Sequence, residues 1–231
     1  MDEKEENKLH QEVIKKYGID LKKLIAEQGK LAEGLEIKDT IDPLLIEKFG
    51  AFDTSFIKNK ILCCYIVCNK EFEIIDRAYV LEKVKFPYIP GFRSYRELPA
   101  MIAAYEQVNE QADAVFISAQ GIIHPRLGLA SHFGLVKQIP TIGVSSVIVD
   151  CKVDTNKDGA NILKKGKKQG RVLIGKEESK PLFVSPGNHI SVASAYELSK
   201  KLIIPPRKWP EPLRLATKYA KKVKEELSHQ V

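Results

Sequence analysis

Pro87-Tyr88-Ile89-Pro90-Gly91-Phe92-Arg93-Ser94-Tyr95-Arg96-Glu97 is the segment from which the rest of the chain can be read. Pro87 and Pro90 each fix their own φ and keep the preceding residue out of the helical region, so Tyr88 and Ile89 lie on a stiff extended stretch. From Arg96 to Asn109 apolar residues recur at helical spacing. The short apolar run Asp113 to Ser118 reads as a buried strand, and it opens Ser118-Ala119-Gln120-Gly121-Ile122-Ile123-His124-Pro125-Arg126. Leu127 to Gln138 then reads as a helix and Thr141 to Val149 as a strand, the alternation that goes with parallel pairing. Upstream, Ala51 to Phe56, Ile61 to Cys68 and Phe72 to Val84 read as three successive strands with short polar turns. An α/β class follows.

Further out the signals are plainer. Val13, Ile14, Tyr17, Leu21, Leu24 and Ile25 make Leu9 to Gln28 an amphipathic helix, interrupted near Gly18. Asn156 to Gly170, with Lys164, Lys165, Lys167 and Lys168, reads as a mobile surface loop. Arg171 to Ile174 and Pro181 to Val184 form a closing hairpin. Ser191 to Leu202 and Glu211 to Leu227 read as helices, joined by a segment stiffened by Pro205, Pro206, Pro210 and Pro212.

The 231 residues suffice to bury one core, and one domain over 1–231 is the expectation. The net charge of +7, with a pI of about 9.1, favours a polyanionic partner, because Lys and Arg neutralise phosphates. No apolar run reaches membrane-spanning length, and the charged stretch Met1 to His10 lacks the apolar region of a secretory signal, so a cytoplasmic protein with no membrane partner is expected. Cys63, Cys64, Cys68 and Cys151 form no CxxC pair, which argues against a zinc or thioredoxin-type site; the first three read as buried strand residues in a reducing compartment.

The two quoted blocks together resemble endonuclease V, a family of metal-dependent nucleases that find inosine in DNA or RNA. The resemblance runs from about Leu9 to Lys221 and is strongest between Pro87 and Val144. It implies a ribonuclease H-like fold, a mixed central sheet flanked by helices, in a single endonuclease V-like domain. Metal-dependent phosphodiester hydrolysis uses clustered carboxylates to hold Mg²⁺ or Mn²⁺. By resemblance those ligands are Asp53, in Gly50-Ala51-Phe52-Asp53-Thr54-Ser55-Phe56, and Glu97.

The departures from the family pattern fall on chemistry. Ser118 and Ala119 stand where the family has Asp and Gly, so a metal-binding carboxylate is replaced by a neutral hydroxyl and a methyl enters the base pocket. Thr141-Ile142-Gly143-Val144-Ser145-Ser146 matches a segment that ends in Lys, here Ser146. Phe183-Val184-Ser185-Pro186-Gly187-Asn188 matches one that ends in His, here Asn188, and His189 one place on is the candidate substitute. Asp113 lies about 16 Å along the strand from Ser118, too far to replace the lost carboxylate.

The recognition elements match better. Tyr88 resembles the family wedge that enters the stack beside the lesion, held stiff by its prolines. Pro90, Gly91, Gln120, Gly121, Ile122 and His124 fall at or beside the inosine pocket, and His124-Pro125-Arg126 is placed to meet phosphates. The favoured reading is a monomeric endonuclease V-like protein that recognises inosine (deaminated adenine) in DNA or RNA, with cleavage lost or strongly reduced and no cofactor required. The alternative is an active Mg²⁺- or Mn²⁺-dependent endonuclease V that cuts a phosphodiester bond 3′ of inosine in repair or processing. A third reading, a scaffold that has lost nucleic acid, is opposed by the intact Pro87 to Gly91.

Overall fold

Strand β1, Phe49–Ile57, is where the two halves of the sheet meet. It pairs antiparallel with β2, Lys60–Cys68, which pairs antiparallel with β3, Ile74–Lys83. On its other side it pairs parallel with β4, Ala114–Ile117, which is parallel to β5, Thr141–Ser145. The computed structural model describes residues 3–228, and in them these strands continue into β6 (Lys152–Val153), β7 (Asn161–Lys164), β8 (Lys167–Leu173) and β9 (Leu182–Asn188). The order is β3-β2-β1-β4-β5-β9-β8-β7-β6. The carboxyl ends of β1, β4 and β5 therefore lie side by side, where ligands bind in sheets of this kind.

The pleat divides the core. Phe52, Tyr65, Ile117 and Phe133 pack with Leu98 and Met101 under helices α3, Arg93–Tyr105, and α4, Leu129–Lys137. Phe116, Ile142 and Val144 point the other way, against Tyr196 and Leu213 of α5 (Val192–Lys201) and α6 (Glu211–Ser228). The N-terminal segment forms α1, Glu3–Tyr17, and α2, Leu21–Ala32. The break expected near Gly18 is present: Gly18 has a φ of +68°, and Asp20 caps α2 by accepting from the Lys22 and Lys23 N–H groups. Val13 and Leu21 pack on Ile89 and Phe92, so these helices support the proline-bracketed segment. Cys63, Cys64 and Cys68 are buried strand residues, as expected.

Two expectations need correction. The strand from Thr141 ends at Ser145 rather than Val149, because the Ser145 hydroxyl accepts from Val147 N–H and donates to Val147 O, turning the chain. The Lys-rich stretch is a hairpin, not a loop. Lys164 pairs with Lys167 across Lys165-Gly166, whose φ values of +50° and +74° make the tight two-residue turn that matches strand twist. The expected unit's outermost residues, 1–2 and 229–231, lie outside the described residues.

Candidate nucleic-acid interface

The register of β1 on β4 sets Phe52 opposite Ile117, which brings Asp53 alongside Ser118 at the sheet's carboxyl end. Glu97 reaches the same cleft from the first turns of α3 and is buried. Its carboxylate accepts from Arg93 Nε (2.6 Å), Arg93 Nη2 (2.9 Å) and Thr54 Oγ1 (2.8 Å). Arg93 Nη1 donates to Ser118 O at 2.9 Å. Asp53, Thr54, Arg93, Glu97, Ser118 and Ser146 line a cavity of about 430 Å³. Burial pushes the Asp53 carboxyl above its ordinary range, although the Arg93 guanidinium pulls the other way.

Mg²⁺ and Mn²⁺ require several oxygen ligands, carboxylates foremost. Here both Glu97 oxygens accept from a cationic fork and a hydroxyl, and Ser118 is neutral. Among the described residues no three His, Cys, Asp or Glu side chains gather in metal-binding geometry. The residues present do not fit a divalent metal.

Next to this cleft is a second hollow of about 300 Å³, walled by Tyr88, Pro90, Gly91, Ala119, Gln120 and His124. Tyr88 is 73% exposed at its rim, so its ring is not packed into the core. Gln120 Nε2 donates to Val147 O at 2.9 Å, closing the far wall. His124 Nδ1 accepts from Arg126 N–H at 3.1 Å. Burial, helped by Arg126 and Lys164, lowers the His124 pKa to about 4, so the ring is neutral at pH 7 and its proton sits on Nε2.

The structure separates the other expected site residues from these hollows. Gly121 and Ile122 face β9: Gly121 N–H donates to Ser185 Oγ and Ile122 N–H to Pro186 O. A Cβ on Gly121 would lie 2.0 Å from Pro186 O, so glycine is needed there for strand contact. Arg126 lies behind the pocket, its guanidinium over the Phe92 ring. Asn188 and His189 require the larger correction. Thr141 pairs with Asn188, and Ser145 with Phe183, so Asn188 and His189 lie at the opposite end of β5, about 13 Å from the cleft end of that strand. Asn188 is buried, bonding Gly134 O and Glu36 N–H, and His189 Nε2 contacts Gln138 Oε1. His189 cannot serve the cleft, and the His-to-Asn difference has no bearing on it. Asp113 caps Glu47 and Lys48 N–H groups, again far from the cleft.

One wall was missed from sequence. Trp209, Leu213, Arg214 and Thr217 join Phe52 and Ser118 around a further hollow, so α6 closes the cleft from the side opposite α3. The start of α6 is anchored by buried Glu211, which accepts from Arg207 Nη1 at 2.6 Å and Arg214 Nε at 2.8 Å. The Arg207, Glu211 and Arg214 spacing was visible, but only the fold shows that this helix faces Ser118.

The family model for Endonuclease V matches residues 29–218. The chain belongs to the endonuclease V family. It is 38% identical over 217 residues to Endonuclease V of Thermosipho melanesiensis, covering 90% of this chain and 96% of that one. It is 33% identical over 213 residues to Endonuclease V of Archaeoglobus fulgidus, with 91% and 96% covered. The endonuclease V structure from Bacillus subtilis superposes with a TM-score of 0.83 at 25% identity, covering 92% of this chain and 95% of that one. That of Ciona intestinalis endonuclease V, solved with a 24mer DNA containing an inosine followed by a ribo-adenosine, superposes with a TM-score of 0.78 at 20% identity, covering 90% and 98%. The expected ribonuclease H-like fold is borne out by these endonuclease V structures. No helix among the described residues is long and apolar enough to cross a membrane.

Proposed function

We propose that this endonuclease V relative is a divergent member that binds inosine-bearing DNA or RNA and cleaves it weakly or not at all. It would work as a monomer in a reducing cytoplasm, a setting that suits its unpaired thiols. The observation that carries the reading is the pairing of an exposed, proline-stiffened Tyr88 over a base-sized hollow with an adjoining cleft where Ser118 and Ser146 are neutral.

Recognition follows from the hollow. A purine leaves the stack at a cost of a few kcal/mol, least where pairing is already weak, as at inosine. The Tyr88 ring fills the gap left behind, and its short stiff segment loses little freedom in doing so. The hollow then meets the base with the apolar faces of Ala119 and Val147 and with neutral His124, whose Nε2–H is a donor for the purine edge. The Ciona intestinalis protein's complex with inosine-containing DNA supports this ligand.

Loss of cleavage rests on Ser118 and Ser146. Removing one such charged group commonly lowers rates by a factor of about 10² to 10⁴. End-labelled single-stranded DNA and RNA carrying one inosine, with adenosine controls, test both parts. The expected result is preferential binding of the inosine strands and no cut beside inosine in Mg²⁺ or Mn²⁺. A cut that Glu97→Ala abolishes would establish an active nuclease instead, and equal affinity for both strands would remove inosine recognition.

A further inference from the structure

We propose that Arg93 is a built-in counter-ion, and that its guanidinium takes over at the cleft the structural task of a divalent cation. Three observations support this. First, Arg93 and Glu97 are four residues apart on α3, so they share one helix face, and Glu97 is only 4% exposed. A carboxylate so buried needs a partner, and the guanidinium supplies one in fork geometry through Nε and Nη2. Second, the remaining arm of the fork, Nη1, donates to the Ser118 carbonyl at the end of β4. One planar cation thereby ties α3 to the strand end, as a bridging metal would. Third, Ser118 itself brings no charge. A third carboxylate there, beside Asp53 and Glu97, would give a dication the anion it needs, and the serine leaves one guanidinium to balance Glu97.

A divalent ion on the Glu97 carboxylate would compete with both bonds from Arg93 Nε and Nη2 and bring a second cation close to the guanidinium. Arg93 is thus a positioning residue, and the nucleic-acid site next to it is assembled without metal.

Mn²⁺ uptake, followed by electron paramagnetic resonance of the free ion, tests this on the full chain without nucleic acid. Loss of inosine recognition would therefore be told apart from failure of the counter-ion role. At about 1 mM Mn²⁺, the weak end for oxygen-ligand sites, the wild type is expected to take up none and to show an unchanged Tm. The double variant Arg93→Leu with Ser118→Asp is expected to bind Mn²⁺ and to gain Tm when it is added. Arg93→Lys covers the case in which the double variant does not fold. It keeps one charge but loses the fork, so its Tm should fall, with Mn²⁺ still excluded. Uptake by the wild type that Glu97→Gln abolishes would overturn the proposal. So would a folded double variant that takes up no Mn²⁺, or a Lys variant with unaltered Tm.

Discussion

Arg126 Nε donates to Gln28 Oε1 at 2.7 Å, while Gln28 Nε2 donates to Gly91 O at 3.2 Å. Residues far apart in sequence thus form one clasp behind the wedge, joining α2, the Tyr88 segment and the loop after β4. Gly91 has a φ of +81°, the left-handed conformation that favours glycine, and a Cβ on it would push against the Arg126 guanidinium. Gln28→Ala removes the fully buried amide that both groups use. It should lower stability by about 1–3 kcal/mol and weaken inosine binding, read by thermal melts and fluorescence anisotropy. Unchanged binding in a folded variant would show that the clasp does not serve the wedge.

Tyr88→Ala should leave Tm nearly unchanged, because the ring is 73% exposed. Its affinity for an inosine strand should fall by more than that for a plain strand. By the usual worth of a stacked aromatic, about 1–3 kcal/mol, the loss is of the order of tenfold or more. Equal losses on the two strands would make Tyr88 a general contact, not a wedge.

Asp53 yields a prediction about pH. Burial raises its pKa in the folded state, so ionising it opposes folding. The penalty is absent below the ordinary carboxylate range, where Asp53 is protonated folded and unfolded alike, and it is fully present above the raised folded value. Asp53→Asn should therefore raise Tm at pH 7, and the gain should disappear as the pH drops below about 4. A Tm gain equal at both ends of that range would assign the effect to packing.

His124 acts in the opposite sense. Its folded pKa of about 4 lies below the ordinary histidine value of 6.5, so its contribution to stability is complete above 6.5 and is lost as the pH falls from there towards 4. The loss should be about 2–3 kcal/mol in urea melts, and it should be missing from His124→Asn. Other histidines titrate as well, so the quantity to compare is the difference between the two proteins over that window. Parallel curves would mean that the ring is solvated.

How far the sequence could be read depends on the range of the interaction. The strands β1 to β3 and the α1–α2 break were legible because alternation, helical spacing and a glycine act locally. Tyr88 and Glu97 were legible because a long motif fixes them. The β7–β8 hairpin was not, since Lys164, Lys165, Lys167 and Lys168 carry no alternation and only the Lys165-Gly166 turn marks it. His189 was misplaced because a short motif does not reveal that β9 runs antiparallel to β5, which sends the end of β9 away from the cleft. The Arg93 to Glu97 spacing stood in the sequence throughout, yet its meaning depends on Ser118 O, which only the sheet register brings near. The α6 wall depended wholly on packing between distant segments.

The hairpin has one more consequence. Lys164 Nζ, half-buried, donates to Ile122 O at 3.1 Å and to His124 O. The basic strand pair near the sheet's rim is thereby moored to the floor of the base pocket. Insertions or deletions there, in what looks like the most dispensable stretch of the chain, would cut that mooring and let His124 drift, even though no residue of the pocket itself had changed.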